Sequence, residues 1–212
     1  MIPLGVLASG YVAPAGGGLT YLGYTSSTTD GATHTFTDVN IGSAATDRTV
    51  IVGYTGFASG AKNLATFTIA GSSAVIDAYT DGWAPSGIGR LVVPTGNAAT
   101  IVLSFNETVQ NMTIFVWTYS GAIARTGYAA TGGPSTAPLS LTTGSSDIVL
   151  CTAGYPDGTP TGFSMMDVIE SFSVEGDSFW ALSTTDTGAL SIIQTPSSVG
   201  NRWIAAAAYS LT

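Results

Sequence analysis

The chain reads as all-β: a single β-sandwich of about ten strands, of jelly-roll or Greek-key type, with an N-terminal arm. Three observations predict this. Short runs of β-branched and aromatic residues recur at a spacing of roughly 8–12 residues, punctuated by Gly, Pro, Asn, Asp and Ser. No segment holds an apolar i, i+3, i+4, i+7 pattern with a cap for more than about two turns. Apolar residues make up 45% of the 212 positions and mean hydropathy is +0.36, enough for a sizeable core.

The elements follow in order. Residues 1–19 carry Ile2, Leu4, Val6 and Leu7 and run into a Pro14-Ala-Gly-Gly-Gly18 stretch without strand or helix periodicity. They read as an arm that docks elsewhere, or as a terminal strand packed on its own domain. Residues 20–212 form the sandwich domain. Loose alternation over 21–25 and 33–41 predicts two strands, and 49–57 and 64–69 are strong β runs. Ala70-Gly-Ser-Ser73 predicts a hairpin into 74–79. Strands at 91–94 and 100–105 flank the Pro94-Thr-Gly-Asn97 turn.

Residues 112–119 form the clearest central strand, with Ile114, Val116 and Thr118 on one face and Phe115, Trp117 and Tyr119 on the other. Gly, Ala, Ser, Thr and Pro dominate 120–146, predicting a long connection with at most a short strand at 139–141. Strands resume at 147–153, 167–174, 178–183, 189–194 and 202–211. The segment Asn111-Met-Thr-Ile114 … Tyr119-Ser120 matches Asn201-Arg-Trp-Ile204 … Tyr209-Ser210 at one fixed offset. Two similar halves would explain the match; the reading adopted is chance similarity among strands of like composition.

Charge is the unusual feature. Only 8% of residues are charged, against about 25% in ordinary soluble domains. Lys62 is the sole lysine, and Arg48, Arg90, Arg125 and Arg202 are the arginines, for a net charge of −8. With 54 serines and threonines, the solvent face must be built largely of hydroxyls. Neutral polar groups can be buried between subunits without the desolvation cost of unpaired ions, so the composition points to an assembly. Five scattered cations give no stripe for phosphates, which argues against nucleic acid. No apolar run approaches the roughly 18 residues of a membrane helix. The N-terminus lacks the positive n-region of an export signal, which favours a virion component over a secreted enzyme.

Catalytic chemistry finds few residues to use. Cys151 lies in an apolar run and reads as a buried small hydrophobe. His34, the only histidine, sits at a polar strand start and reads as surface-exposed. No G-x-S-x-G elbow is present. A glycosidase pair would have to draw on Glu107, Glu170, Glu175 or Asp177, which read instead as solvated turn and edge carboxylates. A calcium site built from Asp157, or from Glu175 and Asp177, lacks its loop motif. No catalytic, cofactor or metal residue is assigned. Trp83, read as a loop residue, and Tyr155 are the candidate rings for stacking on a sugar, with Tyr128 similar.

The stretch from Thr35 through Ile41-Gly42 and Asp47-Arg48 to Gly53, then Thr68-Ile-Ala-Gly71 and the last strand, resembles small accessory virion proteins of tailed bacteriophages. The resemblance covers roughly residues 20–105 and the C-terminal strand. It implies a non-enzymatic capsid decoration, cement, head-fibre or tail-associated β-sandwich, commonly trimeric. It also implies a virion location, major capsid or tail proteins as partners, and an anchoring arm at Ile2, Leu4, Val6 and Leu7. The alternative is a carbohydrate- or receptor-binding module using Trp83 and Tyr155, with a surface glycan as partner. The third is a glycosidase using Glu170.

Overall fold

The computed structural model describes residues 18–133, 139–144, 147–155, 162–163, 167–174, 177–185, 188–192, 194–195 and 202–211. The protein is all-β, built from antiparallel sheets. The first half of the chain forms β1 (Thr20–Ser27), β2 (Gly31–Asn40), β3 (Arg48–Phe57), β4 (Leu64–Ile69), β5 (Ser72–Ser73), β6 (Val75–Thr80), β7 (Ser86–Val92), β8 (Ala98–Val109) and β9 (Asn111–Ser120). The second half forms β10 (Ile123–Gly133), β11 (Leu139–Thr143), β12 (Asp147–Tyr155), β13 (Gly162–Phe163), β14 (Asp167–Val174), β15 (Asp177–Thr184), β16 (Gly188–Ile192), β17 (Gln194–Thr195) and β18 (Arg202–Leu211).

Each half has an inner five-stranded sheet. The N-terminal one runs β1-β9-β3-β7-β6 and the C-terminal one β10-β18-β12-β15-β14. The two orders are the same path traced twice: first strand, last strand, third strand, then a late hairpin. The outer sheet of the N-terminal half is β2-β8-β4-β5; in the C-terminal half β11-β16 and β13-β17 form separate pairs.

Three apolar clusters place the sheets in layers. Phe36, Phe67, Ile101 and Leu103 of the outer sheet pack on Val50, Val52, Ile114 and Val116 of the N-terminal inner sheet. The other face of that sheet, with Ile51, Ile88, Phe115 and Trp117, packs on Ile148, Leu150, Ala205 and Ala207 of the C-terminal inner sheet. Leu139 and Leu141 of β11 then cover the far face of β12 and β18. The two inner sheets therefore stack back to back.

That stacking explains the burial patterns. β3, β9 and β12 are buried along almost their whole length, because both of their faces are covered. β2 and β11 alternate, because only one of theirs is. At the centre of the stack the backbones come close. A Cβ on Gly53 would overlap the Thr152 methyl, and a Cβ on Gly154 would overlap the Thr55 hydroxyl. Glycine on one sheet thus faces threonine on the other, in both directions.

Several expectations change. The described strands number eighteen in five sheets, more than one ten-strand sandwich holds. The expected hairpin at residues 70–73 exists, with Ala70 and Gly71 at φ 52° and 79°, but β5 pairs with β4 for only two residues before the chain crosses to β6 in the inner sheet. Residues 123–133, expected to be connection, form the eleven-residue edge strand β10 along β18. Its small residues carry a weak strand signal, and pairing with the alanines of β18 supplies what propensity lacks. The matched segments fall on β9 and, over residues 202–210, on β18, the same position in each sheet, where chance similarity had been the reading. Leu19, placed in the arm, is buried between the two sheets.

Candidate functional site

The functional groups that the fold gathers lie where the edge strands β6 and β10 meet at the seam between the halves. Asp77 is the extra residue of a bulge in β6: Ile76 opposes Gly89 and Ala78 opposes Ile88 on β7, leaving Asp77 outside the ladder. A bulge re-aims its side chain, and here it turns a carboxylate inward until Asp77 is 2% exposed. The buried charge is compensated from three sides. Arg90 of β7 forms an ion pair with it. The Tyr209 hydroxyl of β18 donates to Oδ2 at 2.8 Å. Arg125 of β10 donates from Nη1 to the Asp77 carbonyl at 2.7 Å. The Arg90 guanidinium also lies 5.7 Å from the centre of the Tyr209 ring. Burial first, then the Asp77 charge, hold the Tyr209 hydroxyl well above the usual phenol range, so it acts as a donor.

A second clamp lies beside the first. Trp203 of β18 is buried, and the positions of Gly82 and Gly132 leave no room for a Cβ against its pyrrole edge. The loop after β6 and the end of β10 are thereby pressed on one indole. The Ser86 hydroxyl, 3.4 Å from the Trp203 carbonyl, adds a polar tie. The loop is pinned from its other side too: Ala58 donates to the Trp83 carbonyl at 2.7 Å, and Lys62 bridges to Gly82.

Around these clamps three large rings face solvent. Tyr79 is 50% exposed, Trp83 49% and Tyr128 62%. The Arg125 guanidinium stacks 4.7 Å from the Tyr128 ring centre. Asp81, between Tyr79 and Trp83, has its carboxyl pushed upward by partial desolvation.

The residues expected from sequence fall in different places. Trp83 is in a loop with its ring exposed. Tyr155 is fully buried at the end of β12, on the face covered by β11, so it offers no ring to a sugar. The polar Pro-Asp-Gly that follows suggested a loop, whereas the preceding apolar run carries the strand through Tyr155. Ile2, Leu4, Val6 and Leu7, and also Asp157 and Glu175, lie outside the described residues. The backbones of Glu170 and Asp177 lie on β14 and β15, opposite Ala181 and Val174. Glu107 is exposed and pairs with Lys62.

His34 is buried at 3% exposure, contrary to the expectation of a surface residue. Its Nε2 lies 3.2 Å from the Val109 carbonyl and its ring meets Phe105 edge-on. It shares the core face of β2 with Phe36, an alternation that was legible but outweighed by the threonines around it. Burial pulls its pKa below the ordinary 6.5. Cys151 is buried as expected, and burial pushes its thiol far up, leaving it protonated and unreactive. Among the described residues no three His, Cys, Asp or Glu side chains converge to hold a metal ion.

Sequence reading missed Asp77, Arg90, Tyr209 and Tyr79. The available signal was Asp77 itself, a carboxylate in the middle of an otherwise apolar strand. The chain matches no family model, no curated protein and no solved structure.

Proposed function

We propose that the protein is a structural component of a bacteriophage particle, a capsid decoration, cement or fibre-type protein that works by packing against other subunits. The observation that carries this reading is the outward face of the outer sheet. Thr33, Ser104 and Thr66 form one cross-strand row on β2, β8 and β4, and Thr35, Val102 and Thr68 form the next. Within a row the Thr33 and Ser104 hydroxyls already bond to each other at 3.0 Å. These two rows carry no charged side chain. Such a face can be buried against a neighbour without stripping water from ions, a cost of several kcal/mol per unpaired charge. Val75 and Val92, both more than half exposed, flank a groove that is apolar apart from Asp47, Thr49 and Arg90, beside the Asp77 cluster, and add a second surface suited to contact.

In this reading each half is a jelly roll, the two are joined back to back into a stiff spacer, and the apolar N-terminal residues anchor it to major capsid or tail proteins. The working form is an oligomer, with a trimer favoured, and no bond is made or broken. Quantitative mass spectrometry of purified particles tests it. Stoichiometric copy number supports the reading, and absence from the particles removes it. Mass photometry of the free protein gives a second check: a uniform monomer would count against the packing role.

A further inference from the structure

We propose that residues 1–8, with Ile2, Leu4, Val6 and Leu7, dock in the chain's own groove between Val75, Val92 and Ile123, at the end of the seam where the described chain begins. The inference rests on the groove and on the position of Leu19, and not on the particle reading. Where these residues anchor the protein to a particle, the groove holds them in the free chain beforehand.

The groove measures about 590 Å³, within the roughly 300–1,000 Å³ of ligand-sized sites. Val75 of β6 and Val92 of β7 line it while 54% and 57% exposed, and Ile123 lines it while partly buried. Arg90, the cation on its wall, is engaged by Asp77, and Asp47, the anion, is itself exposed. What remains is chiefly apolar surface in water, which gains by being covered.

The described chain begins at this same end of the N-terminal inner sheet. Thr20 opposes Thr118 on β9; one residue further along, Tyr119 opposes Thr49 of β3, and Thr49 opposes Val92. Leu19, just before β1, is buried in the apolar cluster that contains Tyr119 and against which Ile123 packs. The root of the arm and one wall of the groove are therefore parts of one apolar layer. β1 and β7 lie three strands apart in the sheet, about 14 Å at roughly 4.8 Å per strand. Leu7 precedes Leu19 by twelve residues, which can span about 40 Å at roughly 3.3 Å each.

The occupant follows from chemistry and tethering. Residues 1–17 carry no charged side chain, and Ile2, Leu4 and Val6 alternate as the apolar face of an extended segment does. A segment tied to its site by a short stretch of chain meets it at an effective concentration of about millimolar, which favours the chain's own arm. A second copy would also bring its net charge of −8 against an equal charge.

Disulfide trapping in the full chain tests the proposal. Cys151 is buried and stays out of the reaction. In the double variant Leu4→Cys, Val92→Cys an intrachain disulfide should form at least about tenfold faster than in Leu4→Cys, Trp83→Cys, whose second thiol sits in the loop beyond the far end of β6. Equal rates, or no closure in either, overturn the proposal. A disulfide between chains in place of the intrachain one also overturns it, and makes the occupant a second copy's arm. Elastase, which cuts after small apolar residues, gives a readout without added cysteines. Val92→Glu should speed cleavage within residues 1–17 roughly tenfold at an unchanged melting temperature, while Val92→Ile should leave it at the parent rate. Cleavage of Val92→Glu no faster than the parent would overturn the proposal.

Discussion

The two inner sheets follow the same strand order, yet they fill the seam with opposite kinds of side chain. β9 presents Phe115, Trp117 and Tyr119 to the seam, whereas the strand of equivalent position in the other sheet, β18, presents Ala205, Ala207 and Tyr209. At the closest approach the complementarity runs in both directions, where Gly53 meets Thr152 and Thr55 meets Gly154. Bulk on one sheet is met by its absence on the other. Similar topology thus does not make the halves interchangeable, because divergence of a few side chains makes each the partner of the other.

The buried charges repeat the lesson. Arg48 opposes Ser120, and Asp147 opposes Ser210, at the first residues of β3 and β12. Arg48 donates to the carbonyls of Gly42, Val93 and Thr95, while Asp147 accepts from Thr126 and from the backbone of Gly144. Opposite charges at equivalent positions do one job, tying loops to the start of a central strand.

Magnitudes decide what holds the seam. Each fully buried Ile, Leu or Phe contributes about 1.5–3 kcal/mol, and a hydrogen bond to a carboxylate, such as Tyr209 to Asp77, adds a similar amount, but among the described residues buried apolar side chains far outnumber such bonds. Apolar burial therefore supplies most of the stability, and the Asp77 cluster fixes which alignment is adopted. Breaking the contrast from its bulky side should do most damage. Trp117→Ala removes the largest fully buried side chain among the described residues, and chemical denaturation should show a loss of about 3–5 kcal/mol. Blurring the contrast from its small side should cost less. Ala207→Leu overfills a dry seam, and the same measurement should register about 1–3 kcal/mol.

Comparable in size is the alignment contact. Tyr209→Phe deletes one donor while Arg90 still compensates Asp77, so denaturation should report a loss of about 1.5–3 kcal/mol. The smallest effect lies away from the seam, in the outer sheet. His34 is buried with its pKa lowered, so below its ordinary 6.5 the unfolded chain binds a proton that the folded chain refuses. Stability should be flat above that pH and fall as pH drops beneath it, by at most about 1.4 kcal/mol per pH unit, until the folded-state pKa is reached. In His34→Gln this one-proton component of the pH dependence should be absent.

Much of the first half was legible because its strands combine strong propensity with clear periodicity. The faces of β9 separate as the alternation required, Ile114 and Val116 inward to the outer sheet, Phe115 and Trp117 to the seam. β10 was not legible, since glycine, alanine and threonine look like a linker until β18 pairs with them. The back-to-back stacking of two inner sheets was written in the sequence only indirectly, as predominantly apolar runs at β3, β9, β12 and β18, which require both faces to be covered. Tyr155 was misplaced because the turn residues after it hid the end of such a run. Asp77 could not be assigned a role, because its partners Arg90 and Tyr209 are brought to it by a bulge and by the other half of the chain.

Native-state hydrogen exchange resolved by strand tests the central claim, that two halves of one connectivity form a single cooperative stack. The account predicts that amides of β3, β9, β12 and β18 open with the same free energy and the same denaturant dependence, as one unit. Exchange of β12 and β18 at a distinctly lower free energy than β3 and β9 would mean that the halves unfold separately, and would contradict it.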